Sequence, residues 1–126
     1  MTEDQSRAKL HQAVRDLEHA LSFCDKALSD RFFLAGIAKS FETCLEYLWK
    51  YCRRCALDAG LEVYAPKDAF KTAGRLGILD DVEAWIEFIN FRNRAVHDYL
   101  GVPDEEYLRT VKQFFARVKE LSFISS

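Results

Sequence analysis

A chain of 126 residues, 49% apolar and 30% charged, has room for one domain around one modest core. Its formal net charge of −2 excludes the broad, charge-driven coating of nucleic acid that needs a strongly basic surface, though not a small local phosphate site. No window approaches the roughly 20 apolar residues that span a bilayer. The opening "MTEDQSRAKL" contains acidic residues and lacks the apolar run of a secretory signal, so the expected location is the cytoplasm.

The pattern is helical throughout, with no sustained alternation and with Pro66 and Pro103 both falling between helical segments. The first predicted helix covers roughly residues 4–28, where Leu10, Val14, Leu17, Leu21, Cys24 and Leu28 form one apolar stripe. Asp30 is the expected N-cap of a second helix running to Asp58 and stopping at Gly60, with Phe33, Leu34, Ile37, Phe41, Cys44, Leu45, Leu48 and Cys52 inward. Pro66 suits the first turn of a short helix over residues 67–75 that ends near Gly77. Asp80 with Glu83 gives a capping-box-like start to the fourth helix, which Gly101 ends. Pro103 opens the fifth, with Asp104, Glu105 and Glu106 at the positive end of its dipole and Tyr107, Leu108, Val111, Phe114, Phe115, Val118 and Leu121 inward. The expected fold is all-α: one domain over residues 1–126, an up-and-down four-helix bundle with one short extra helix.

Two other features have ordinary explanations. Cys52 and Cys55 form a CxxC, but no second pair and no nearby His accompanies them. With Cys24 and Cys44 they read as reduced thiols, and Cys44, Cys52 and Cys55 lie near an apolar stripe. Lys50, Arg53 and Arg54 in "KYCRR" could extend a phosphate track, but a solvated basic face is the commoner reason for such a run. Tyr47, Trp49, Tyr51 and Trp85 are expected to pack rather than stack on bases. His11 and His19 read as surface residues.

The unusual stretch is "FRNRAVHDYL", residues 91–100. On a wheel of about 100° per residue with Ile89 at zero, Val82, Trp85, Ile86, Val96 and Leu100 fall within about 60° of it. Ala84, Phe88, Phe91 and Ala95 fill a second apolar sector. Glu83, Glu87, Asn90, Arg94 and Asp98 gather opposite and are expected in water. That leaves Arg92 and Tyr99 between the apolar sectors, Asn93 inside the main stripe and His97 at its edge. A covered Arg needs a partner. The partner is either internal (Glu42 or Glu46 for Arg92, with Asn93 bonding His97) or an anion held in a cleft or at a subunit interface. Arg offers a planar fork that matches phosphate, and His moves protons near neutral pH. Together they can cleave a phosphodiester without a metal or cofactor, His as general acid or base and Arg holding the charge on phosphorus. Arg92 and His97 stand about 140° apart on the helix. A two-fold dimer through this face would collect two of each, so a homodimer with the site at its interface is expected.

"RNRAVHDY" resembles the Rx4-6H signature of the HEPN superfamily, and Tyr99 completes its longer form, R-x4-H-x-Y. "KSFETCLEYLWKYCRRCALDAG" resembles the FE…E..WK helix of the nucleotidyltransferase substrate-binding branch, which lies close to the HepT-like toxins. "PKDAFKTAGRLGILDDVEAWIEFINFRNRAVHDY" resembles the run that follows it there, and the match is close from Ala38 to Tyr99. The resemblance implies a helical bundle that dimerises through the signature helix, and a minimal nucleotidyltransferase encoded nearby as its partner. It implies Arg92 and His97 as catalytic residues of a metal-independent ribonuclease toxin, Asn93 as the residue that positions them, and Tyr99 as a possible site of adenylylation. Cleavage would use the RNA 2′-hydroxyl and leave a 2′,3′-cyclic phosphate. The branch takes its name from a substrate-binding role, so a non-catalytic nucleotide-binding subunit of a two-component nucleotidyltransferase is the alternative. A bundle with a purely structural polar network is the third reading.

Overall fold

A computed structural model describes residues 1–97 and 102–125, with backbone alone for Val96 and His97. Among the described residues it is all helix: α1 (Glu3–Leu21), α2 (Cys24–Ala27), α3 (Arg31–Asp58), α4 (Pro66–Arg75), α5 (Val82–His97), α6 (Asp104–Val118) and α7 (Ser122–Ser125). The four long helices α1, α3, α5 and α6 make the bundle, and α4 is the short helix between α3 and α5, as the sequence predicts.

The boundaries follow local chemistry. Thr2 and Gln5 close a capping box on α1, and the Asp30 carboxylate accepts from the Phe32 N–H at 2.9 Å to start α3. Both α3 and α4 end where glycine accepts a left-handed backbone, Gly60 at φ 82° and Gly77 at φ 76°. The Leu61 N–H then returns to the Ala56 carbonyl and the Ile78 N–H to the Ala73 carbonyl, each at 2.9 Å.

Two boundaries differ from expectation. The first helix stops at Leu21 instead of running to residue 28. The Ser22 hydroxyl donates to the His19 carbonyl at 2.6 Å, an alternative that competes with the helical ladder. Phe23 leaves helical geometry and stacks on Phe33, ring centres 5.5 Å apart. The separate turn α2 buries Ala27 and leaves Leu28 exposed, so Leu28 drops out of the stripe. At the other boundary α5 starts at Val82, one step later than an Asp80 cap implies. Asp81 takes a left-handed φ of 51°, and its carbonyl accepts from the Ala84 N–H. The Asp80 carbonyl accepts instead from Trp85 Nε1 at 3.0 Å.

Phe114 of α6 is fully buried at the centre of the core. It meets Phe41 of α3 at 5.2 Å and Phe88 and Trp85 of α5 at 5.3 and 6.1 Å, all edge-to-face. Phe70 carries the contact on to α4 through Trp85. At one end of this cluster Phe91 packs on Phe41 and Tyr107, which fixes the C-terminal half of α5 against α3 and α6.

Candidate functional site

The aromatic cluster decides how α5 is turned. Its buried residues are Trp85, Phe88, Ile89, Phe91 and Ala95, so the covered arc is centred about 90° from Ile89, toward Phe88. The sector expected to be secondary is therefore the deeper one. Val82 and Ile86, expected in the main stripe, are only half-buried. The reason is size: Phe88 and Phe91 have aromatic partners on α3 and α6, whereas Val82 and Ile86 offer smaller surfaces to bury.

This rotation corrects the placement of Asn93, which is exposed and not covered. Arg92 is half-buried, and its Nε donates to Oδ1 of Asn93 at 3.0 Å. Neither Glu42 nor Glu46 pairs with it. Glu46 pairs with Lys50 at 3.4 Å, and Glu42 forms no ion pair among the described residues. The internal carboxylate partner weighed for Arg92 is thus not the one it uses. Its bond to Asn93 draws the guanidinium around the helix, away from the register of its own Cα. His97 is the last residue of α5, four residues after Asn93 and about 40° farther round. The His97 side chain, any Asn93–His97 bond, and all of Asp98, Tyr99, Leu100 and the expected end at Gly101 lie outside the described residues.

Arg94 is exposed, as expected, and its guanidinium sits 5.6 Å above the Phe91 ring. Trp85 is core. Two of the three charges of "KYCRR" are neutralised on their own helix, Lys50 by Glu46 and Arg54 by Asp58. Cys44 and Cys52 are buried, and burial pushes the Cys44 thiol up to about 12 and the Cys52 thiol higher still. Burial also raises Cys55, so neither thiol of the CxxC is shifted toward the thiolate form that redox chemistry or metal binding uses. His11 is not a plain surface residue: its Nε2 donates to the Phe123 carbonyl at 2.9 Å and ties α7 to α1. Phe123 is far from His11 in sequence, so no local pattern could have revealed that bond. No described helix is long and apolar enough to cross a membrane.

Comparison with known proteins adds two findings. The model of the family described as "nucleotidyltransferase substrate binding protein like" matches residues 5–123. Among solved structures, a chain from the tri-AMPylated Shewanella oneidensis HEPN toxin in complex with MNT antitoxin superposes with a TM-score of 0.68. It is 13% identical, and the match covers 93% of this chain and 96% of that one, a likeness of fold. No curated protein matches the sequence.

Proposed function

The chain belongs to the nucleotidyltransferase substrate binding protein-like family, and from that premise we propose that it is the HEPN partner of a minimal nucleotidyltransferase and acts as an endoribonuclease toxin. The observation that carries the catalytic part is the Arg92–Asn93 bond, which turns the guanidinium toward the side of α5 on which His97 stands. The terminal nitrogens of Arg92 form the fork that suits a phosphate.

In this reading the RNA 2′-oxygen attacks the adjacent phosphorus, the P–O5′ bond breaks, and the products carry a 2′,3′-cyclic phosphate and a 5′-hydroxyl. One imidazole takes the 2′-hydroxyl proton and one gives a proton to the leaving 5′-oxygen; a two-fold dimer supplies a His97 for each task. Arg92 holds the charge that builds on phosphorus, so the chain itself supplies the electrostatic role of a metal. Asn93 positions Arg92. The similar HEPN toxin was captured tri-AMPylated and bound to MNT antitoxin. By that likeness the partner here is a nucleotidyltransferase, and Tyr99 is the phenol proposed to receive adenylyl groups.

The test is expression of this chain alone, with purified protein assayed on RNA in EDTA. Growth arrest and cyclic-phosphate ends are expected, both lost in His97→Ala and Arg92→Ala. Intact RNA, together with no cellular effect of His97→Ala, would sink the reading. The family's own description favours a second one: a non-catalytic subunit that holds a nucleotide or phosphorylated substrate for the nucleotidyltransferase. A stable complex that binds nucleotide but leaves RNA intact is its signature.

A further inference from the structure

A cleft of about 520 Å³ opens between the start of α3, the start of α6 and the C-terminal half of α5. Its walls are apolar: Leu34, Ala35, Ala38, Ala95, Val102 and the Tyr107 ring. The small side chains of Ala35, Ala38 and Ala95 are what keep it open. The volume suits a single planar heterocycle with its sugar. Ala95 lies three residues after Arg92 on α5, so this wall of the cleft stands one helical turn along from that arginine, on the side of the helix away from His97.

The polar groups are few and separated by kind. Glu42 lines the cleft and is half-buried, and its carboxylate adds to the effect of burial in raising the Tyr107 phenol above its ordinary range. A neutral Tyr107 hydroxyl can donate or accept there, while the Glu42 carboxylate only accepts. At the mouth Arg31 meets Asp104 at 3.4 Å, and both side chains are exposed. Such a pair holds together weakly, so a phosphate can displace Asp104 from Arg31. An apolar slot with a carboxylate inside and an arginine at its rim matches a nucleotide bearing an amino group: base in the slot, amino edge on Glu42, phosphate on Arg31.

We propose that this cleft is a nucleotide-binding subsite selective for amino-bearing bases over uracil, with Glu42 as its specificity residue. It rests on the function proposed above and deepens it by naming a base preference at a cleft one helical turn from Arg92. The nucleotide can be a residue of an RNA strand or a free mononucleotide.

Binding is read directly, in full-length His97→Ala protein, so that it does not depend on cleavage. Titration with AMP, CMP, GMP and UMP, followed by amide shifts in NMR, is expected to move Leu34, Ala38 and Ala95, with UMP weakest. Glu42→Gln should bind CMP about tenfold more weakly and narrow its advantage over UMP, as loss of a charged acceptor predicts. Ala38→Phe fills the slot and should abolish the shifts while the helical circular dichroism stays intact. A short single-stranded oligonucleotide distinguishes the source: shifts at the same amides identify RNA, and shifts with mononucleotides alone identify a free nucleotide. Shifts confined to other surfaces, equal affinity for UMP, or undiminished binding in Ala38→Phe would overturn the proposal. Loss of ribonuclease activity alone would not, which separates this failure from that of the catalytic reading.

Discussion

Arg92 and Asn93 are sequence neighbours about 100° apart around α5, yet their side chains meet: Arg92 Nε donates to Asn93 Oδ1 at 3.0 Å. The bond occupies Nε and leaves the terminal N–H groups as the face offered outward. It also shortens the arc between the guanidinium and His97 that the bare spacing of Arg92 and His97 implies. Asn93 is exposed and its amide fills no core volume, so the contact it makes is the bond to Arg92, and a positioning role can be tested apart from stability.

Asn93→Ala therefore should cut RNA cleavage by about 10- to 100-fold, the range for a misplaced transition-state donor. Stability should change by under about 0.5 kcal/mol, since no buried group is removed. The loss is expected in kcat more than in KM, and Arg92→Lys should not restore it because an ammonium lacks the fork. An unchanged kcat in Asn93→Ala would leave the bond without a role in positioning.

Gly74 faces α5. A Cβ there would run into Cγ2 of Val82, which is on the first turn of that helix. Gly74→Ala should therefore destabilise by about 1–3 kcal/mol, despite alanine's better helix propensity. The neighbour is a short side chain rather than backbone, so Gly74→Ala/Val82→Ala should recover most of the loss. Urea unfolding of the two variants and of Val82→Ala alone closes the cycle.

The helices were legible because apolar period, caps and glycines agreed. Asp30, Gly60, Pro66 and Gly77 each stand where their chemistry predicts. What the wheel could not supply was the rotation of α5. Counting Ile, Val and Phe alike puts its centre at Ile89, whereas Phe114 and Tyr107 of α6, with Phe41 of α3, draw Phe88 and Phe91 inward. The misplacement of Asn93 follows from that single non-local fact. The break after Leu21 was hidden for a similar reason: Ser22 and Phe23 are tolerable in a helix, and the Phe23–Phe33 stack is a tertiary contact. The residue types of the candidate site stand in the sequence itself, whereas the Arg92–Asn93 bond depends on side-chain conformation that no spacing specifies.

The thiols give a pH prediction. Burial raises Cys44 from 9.0 to about 12, so the folded state keeps its proton where the unfolded chain loses it. Cys52 shifts in the same direction. In that window the unfolded state binds fewer protons, so stability is full below about pH 9 and falls as pH rises toward 12. The buried Tyr51 and half-buried Tyr107 phenols, also raised by burial, steepen the fall at its upper end. Chemical denaturation at stepwise alkaline pH should show this decline, and Cys44→Ala should make it shallower. At pH 8, a thiol reagent should label Cys44 and Cys52 only on unfolding.

The open side of α5 carries a prediction about assembly. Ile86 and Asn90 are half-buried and Asn93 is exposed, and the three recur at i, i+4 and i+7 on one stripe. His97 takes the next place in that register. A homodimer formed on this stripe would cover Ile86 first and bring the two Arg92–Asn93 pairs toward a shared axis. Ile86→Glu puts a carboxylate where the partner's apolar surface should lie, and desolvating it unpaired is unfavourable enough to separate the subunits. Light scattering should then report the 14.6 kDa monomer instead of twice that mass, with helical circular dichroism unchanged because Ile86 is not fully buried. RNA cleavage should fall with the dimer, although Arg92, Asn93 and His97 are all present. Mixing Arg92→Ala with His97→Ala subunits then tests how the site is shared: recovery of cleavage means that Arg92 of one subunit works with His97 of the other. A variant Ile86→Glu that stays dimeric would move the interface away from α5, and a monomer that still cleaves would remove the need for one.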